Sequence, residues 1–176
     1  VLEPDEPEVT WILKDLEDNI FVTWAYGWAT DLERGWFSCG GVAVQANLLN
    51  NGLVYLRRGQ IKHAVRALLN NLGLNLYRDV RAFTEHPVVE PGHGVGPFYK
   101  TPDECGFLVS LRRYLVLEEG ESLHLAKGLP ACWLQDARGV QLKRAATHFG
   151  TVSLAIRPSP EGDRLEADLG LQLRRQ

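Results

Sequence analysis

Glu85 and Glu90 lie in a stretch from Arg81 to Lys100 that also holds Pro87, Pro91 and Pro97 together with Gly92, Gly94 and Gly96. Two nearby carboxyl groups are the reagents of glycoside hydrolysis. One, protonated, assists the leaving group, while the other, ionised, acts as base or nucleophile. The competing reading is that both are solvated loop acids. His86, His93 and Tyr99 flank them and would line the same pocket. His86, Glu90 and His93 also form a His and carboxylate trio of the kind that suits zinc. Their spacing matches no helix-borne ligand motif and the prolines leave the geometry open, so neither a metal nor a cofactor is expected.

A second cluster runs from Trp24 to Gly41, where Trp28, Trp36 and Phe37 stand among glycines with Asp31 and Glu33 between them. Sugar rings stack their apolar C–H faces on aromatics, and acids accept bonds from sugar hydroxyls. Trp28, Asp31, Trp36 and Phe37 are therefore candidate substrate-binding residues, although large aromatics serve equally as core or interface anchors. Asp103 and Glu104 are explained by a helix N-terminus, through capping and the helix dipole. Cys39, Cys105 and Cys132 are odd in number and widely spaced, which suggests buried reduced thiols and no disulfide framework.

The elements that must position these groups change character along the chain. Ile12, Leu13, Leu16 and Ile20 fall on one helical face, so a helix is expected over 9–22. The aromatic, Gly-rich segment that follows should be a loop. Val44, Leu48, Leu49, Leu53 and Leu56 recur at helical spacing up to Gly59, placed as a left-handed cap, and Ile61, Ala64, Val65, Leu68, Leu69 and Leu72 continue the pattern. Two helices joined by so little should fold back as an αα-hairpin. The prolines and glycines of 81–100 exclude a helix or a central strand. Thr101-Pro102-Asp103-Glu104 then starts a helix that should carry Phe107, Leu108, Leu111 and Leu115 inward and stop near Gly120.

Past Gly120 the hydrophobic period falls from 3.6 to 2. Leu123 and Leu125, then Val152, Leu154 and Ile156, then Leu165, Ala167, Leu169, Leu171 and Leu173 alternate with polar or small residues, as half-buried antiparallel strands do. Gly139, Gly150 and Gly162 mark turns, and Pro158-Ser159-Pro160-Glu161-Gly162 is a hairpin loop. The division expected is a helical-hairpin region over 1–119 and a β module over 120–176. Such a small β part should pack on helices or complete a sheet elsewhere.

Composition narrows the partners. With 45% hydrophobic and 23% charged residues the 176-residue chain should build a core, and no apolar run reaches the length of a membrane span. A net charge of −3 offers no broad basic surface for phosphates, so neither nucleic acid nor a membrane is an expected partner. The acidic, Pro-containing start Val1-Leu2-Glu3-Pro4-Asp5-Glu6-Pro7-Glu8 reads as a linker or exposed arm of a mature form or fragment, unlike a signal peptide.

Two sets of residues resemble the C-terminal region of the six-hairpin glycosidase-like group, whose catalytic domain is an (α/α)6 barrel. One runs from Tyr26-Gly27-Trp28 through Trp36-Phe37 and Gly40-Gly41 to Phe83-Thr84-Glu85-His86. The other comprises Lys100–Glu104, Leu111–Leu115, Leu123-His124-Leu125, Pro130–Leu134 and Thr147–Gly150. The resemblance implies an α+β chain: helical hairpins of the (α/α) barrel type followed by a small antiparallel β module. It also implies part of a glycoside hydrolase acting on a carbohydrate ligand, with Glu85 as acid or base, completed by the remainder of a larger chain or another subunit. The alternative is a non-catalytic carbohydrate-binding or structural interaction module.

Overall fold

In the computed structural model the described residues are 2–16, 50–77, 81–84, 86–88, 93–95 and 101–174. The chain divides into two compact units, Val1–Leu111 and Arg112–Gln176.

In the first unit, α1 (Pro7–Leu16) starts with proline at its first position, where no N–H is needed. Its buried side is Val9 and Leu13, one turn apart, while Trp11 and Ile12 are exposed. The face expected to hold Ile12 is thus rotated by one residue. Residues 17–22 of the expected helix and the aromatic segment lie outside the described residues. Arg58 ties the N-terminal arm down by donating from Nε to the Pro4 carbonyl (2.6 Å) and from Nη2 to that of Glu6 (3.4 Å).

Helices α2 (Asn51–Arg57) and α3 (Ile61–Asn75) pack together across a three-residue connection, Arg58–Gln60. Gly59 has φ +69°. Its N–H donates to the Leu56 carbonyl (3.1 Å) and that of Gln60 to the Tyr55 carbonyl (2.9 Å), the paired bonds of a Schellman cap. Tyr55, Leu56, Ala64, Ala67 and Leu68 are buried in this pair. The His63 ring stacks on Tyr55 at 5.2 Å.

Among the described residues no second hairpin of consecutive helices follows. Between α3 and the next helix the chain makes β1 (Leu76–Tyr77) with β2 (Ala82–Phe83), then β3 (His86–Val88) with β4 (His93–Val95), each pair antiparallel. The expected barrel of helical hairpins is therefore not what this chain forms. It is α+β, with small antiparallel sheets interleaved among its helices. The segment 81–100 is also not without strands. Pro87 sits opposite Gly94 in a two-stranded ribbon, where both strands are edges and a missing N–H breaks no central ladder.

Helix α4 (Thr101–Leu115) begins where the sequence places it. The division between the units falls within it. In its first part Asp103 is fully buried, Glu104 Oε1 accepts the Phe83 N–H (3.3 Å), and Phe107 packs on Phe83 at 4.9 Å. Leu108, expected inward, is 61% exposed.

In the second unit α4 ends at Leu115, earlier than its expected stop near Gly120, and Val116–Glu119 becomes β5. This strand folds back on β6 (Ser122–Leu125) through the two-residue loop Gly120-Glu121. The last helical carbonyls find donors beyond the hairpin: Ala126 N–H reaches that of Leu115 (2.7 Å) and Gly128 N–H that of Tyr114 (3.0 Å). A short 3₁₀ turn (Ala131–Leu134) leads into a three-stranded antiparallel sheet of β7 (Val140–Thr147), β8 (Gly150–Pro158) and β9 (Leu165–Leu173), in that spatial order. Leu115, Val116 and Val152 form its core, with Leu123, Leu125, Leu129, Val140 and Leu142 packed around them. Strand β9 departs from the half-buried expectation, since its leucines are exposed. Cys105 and Cys132 are exposed free thiols, against the expectation of buried ones.

Two glycines have measurably different jobs. At Gly59 an added Cβ would meet nothing within 4 Å, so the cost of Gly59→Ala is only that of its positive φ, about 1–2 kcal/mol. At Gly139 (φ +60°) a Cβ would overlap the Ile156 carbonyl oxygen and lie 2.8 Å from Arg157 Cα. Gly139→Ala must displace β8 as well as strain the turn. Urea unfolding of the full chain should show a clearly larger loss for Gly139→Ala than for Gly59→Ala.

Candidate functional site

The described residues that combine an aromatic ring, fixed charges and an open surface lie where the 3₁₀ turn meets β7. Pro130, extended (φ −63°, ψ 128°), starts the turn, and Trp133 N–H donates back to its carbonyl (3.0 Å). The turn lies against β8. The chain then reverses through Asp136 to Gly139, whose N–H bonds the Asp136 carbonyl (2.8 Å). Val140 and Gln141 follow as the first residues of β7.

Asp136 is held from three sides by one residue. Its Oδ1 accepts from the Arg138 backbone N–H (2.9 Å) and Nε (3.0 Å), and its Oδ2 from Arg138 Nη2 (2.7 Å). The backbone bond is an Asx turn, and the two guanidinium bonds are the bidentate fork that arginine makes with carboxylates. These bonds, led by the side-chain pair, hold the Asp136 carboxyl down at about 2 and push the Arg138 pKa up. Side-chain exposure of 46% for Asp136 and 88% for Arg138 puts the pair at the surface, where it fixes geometry more than it adds stability. Cys132, Trp133, Asp136, Arg138 and Gln141 line an open depression of about 640 Å³.

The arrangement suits binding and not proton transfer. Asp136 is the one carboxylate lining the depression among the described residues, and it is ionised at neutral pH. A glycosidic acid and base pair needs a second, protonated carboxyl.

The sheet carries two other concave surfaces. One, of about 510 Å³, lies over Lys143, Ser153, Arg157, Asp168 and Gly170. There Arg157 bridges Asp168 (2.7 Å) and Glu166 (3.3 Å), and these acids raise its pKa, Asp168 foremost. The other, about 210 Å³ and apolar, is lined by Leu123, Phe149, Val152, Leu171 and Leu173.

Of the residues singled out in the sequence, Trp28, Asp31, Trp36, Phe37, Glu85, Glu90 and Tyr99 lie outside the described residues. For His86 and His93 the backbone register is defined: His86 stands opposite Val95 and His93 opposite Val88. No group of His, Cys, Asp and Glu suited to a metal ion occurs among the described residues. None of their helices is long and apolar enough to cross a membrane. No family model, curated protein or solved structure matches the chain.

Asp136, Arg138 and Gln141 are not among the candidates the sequence suggests, and Trp133 figures there only within the family-like Pro130–Leu134. A signal was present in Trp133-Leu134-Gln135-Asp136-Ala137-Arg138-Gly139, where Asp two residues before Arg and three before Gly spells an Asx turn closed by a left-handed residue.

The lowered Asp136 pKa gives a signed prediction. Its ionised form is favoured by folding, so the contribution is present above the ordinary 3.8 and is lost as pH falls through about 2. An NMR titration of the Asp136 side-chain carbonyl should show a midpoint near 2, and Arg138→Gln should move it back towards 3.8.

Proposed function

We propose that this chain acts as a carbohydrate-binding module, with the depression at Trp133 as its binding surface and without turnover at that surface. The observation that carries this reading is the half-buried Trp133 beside a pre-fixed Asp136 and Arg138 pair in an open depression. An indole face accepts the C–H face of a pyranose, and its N–H remains a donor. A carboxylate fixed by a fork retains lone pairs for vicinal hydroxyls, and the Gln141 amide offers both a donor and an acceptor. Because the Asx turn already orders the pair, less side-chain freedom is lost on binding than with two unpaired surface charges. The openness of the surface fits an extended, solvated oligosaccharide more than a small enclosed ligand.

The full chain should bind members of a panel of neutral oligosaccharides without releasing reducing ends. Trp133→Ala should weaken that binding about tenfold or more, as removal of an aromatic anchor does. Absence of binding to any glycan, or undiminished binding by Trp133→Ala, would remove the reading. Release of reducing ends that Glu85→Gln abolishes would favour acid/base hydrolysis instead.

A further inference from the structure

Strand β9 has an open edge, because the sheet order is β7-β8-β9 and no described strand pairs on its far side. Its register with β8 runs from Gly150 opposite Leu173 to Pro158 opposite Leu165. At the two ends of this ladder Arg174 N–H donates to the Phe149 carbonyl (3.1 Å) and Ser159 N–H to the Arg164 carbonyl (2.9 Å). Antiparallel ladders alternate bonded and non-bonded pairs. The even-numbered residues of β9 therefore bond to β8. The odd-numbered residues, Leu165, Ala167, Leu169, Leu171 and Leu173, aim their N–H and C=O groups at the open edge.

The same residues form the apolar face of the strand. Leu165, Leu169, Leu171 and Leu173 are 54, 49, 53 and 70% exposed. Natural edges are commonly blunted by lysine, proline or a bulge. The sequence Leu165-Glu166-Ala167-Asp168-Leu169-Gly170-Leu171-Gln172-Leu173 contains neither lysine nor proline, and its pairing with β8 is unbroken.

Charge selects the occupant. Acids Glu166 and Asp168 stand in the first half of β9 and Arg174 just past its end. A second β9 laid antiparallel with Gly170 on the two-fold axis places Glu166 opposite Arg174 twice, Leu169 opposite Leu171, and Ala167 opposite Leu173. In that register the bonded pairs fall on the odd residues, whose N–H and C=O groups are free. Centring instead on Leu169 sets Arg164 against Arg174, and centring on Asp168 sets that acid against itself, both unfavourable for directly opposed residues. Centring on Leu171 sets Asp168 against Arg174 and is equally complementary by charge, but it shortens the overlap.

We propose that the β9 edge docks a second copy of this chain, joining two three-stranded sheets into one across a two-fold axis at Gly170. Sedimentation of the full chain in the micromolar range should show a reversible dimer. Ala167→Pro removes an N–H that faces the open edge and no bond to β8, so it should fold, checked by circular dichroism, and sediment as a monomer. Arg174→Glu, which leaves the backbone and the Arg157 ion pairs untouched, should weaken dimerisation about tenfold. A monomer at all concentrations, or a dimer equally tight in Ala167→Pro and Arg174→Glu, would overturn the proposal.

Discussion

The burial of Leu115 and Val116 against Val152 is the contact on which the C-terminal unit depends. Val116 has no exposed surface and Val152 almost none, and each such aliphatic side chain contributes on the order of 1.5–3 kcal/mol when taken from water. That contact fixes where helix α4 stops. With Leu115 and Val116 both under β8, the backbone has to leave the helix, and the hairpin at Gly120 supplies Val116–Glu119 with partners in β6. The same passage is held by charge. Arg112 reaches Glu118 (3.4 Å) and the Ala146 carbonyl, and Glu118 accepts the His148 N–H. Glu119 is meanwhile bridged by Lys127 (2.8 Å), and His124 Nε2 lies 2.9 Å from the same carboxylate oxygen. The depression at Trp133 is a consequence, since it is lined by residues of the 3₁₀ turn, which lies against β8, and by the first residues of β7.

Features governed by local chemistry were legible in the sequence. Gly59 as a left-handed cap, the start of α4 at Thr101 and the loop from Ser159 to Arg164 between β8 and β9 each follow from residues within one turn of the event. Features decided by distant partners were not. The end of α4 is set by a hairpin whose other strand lies beyond Gly120, and Val116-Leu117-Glu118-Glu119 alone could continue a helix. Strand β7 was hidden by its own irregularity. Its register slips between Leu142 and Ala145, where Arg144 takes φ +53° and donates its N–H to Ser153 Oγ (3.0 Å), so the apolar alternation changes phase halfway along.

The barrel expectation failed for a related reason. Helical periodicity identifies the α2 and α3 pair, but the period says nothing of what the next segment does, and among the described residues four short strands intervene there before α4. Periodicity also cannot say which face of a strand is covered. The leucines of β9 alternate as a half-buried strand's would, yet the cover supplied by β5 and β6 reaches β7 and β8 and leaves β9 open. At the candidate site, the sequence drew attention to carboxylates and tryptophans gathered by proximity in the chain. The residues that the fold gathers around Trp133 are joined by a turn and a strand, and only the Asx turn among them has a local signature.

The central claim, that the core at Val116 and Val152 organises the C-terminal unit, is tested most directly by native-state hydrogen exchange on the full chain. Within Arg112–Gln176 the slowest amides should be those of β8 from Thr151 to Ile156 together with Val116 and Leu117, with β9 and the Asp136 turn exchanging faster. Rapid exchange along β8, or protection concentrated in β9 while Val116 is open, would contradict it.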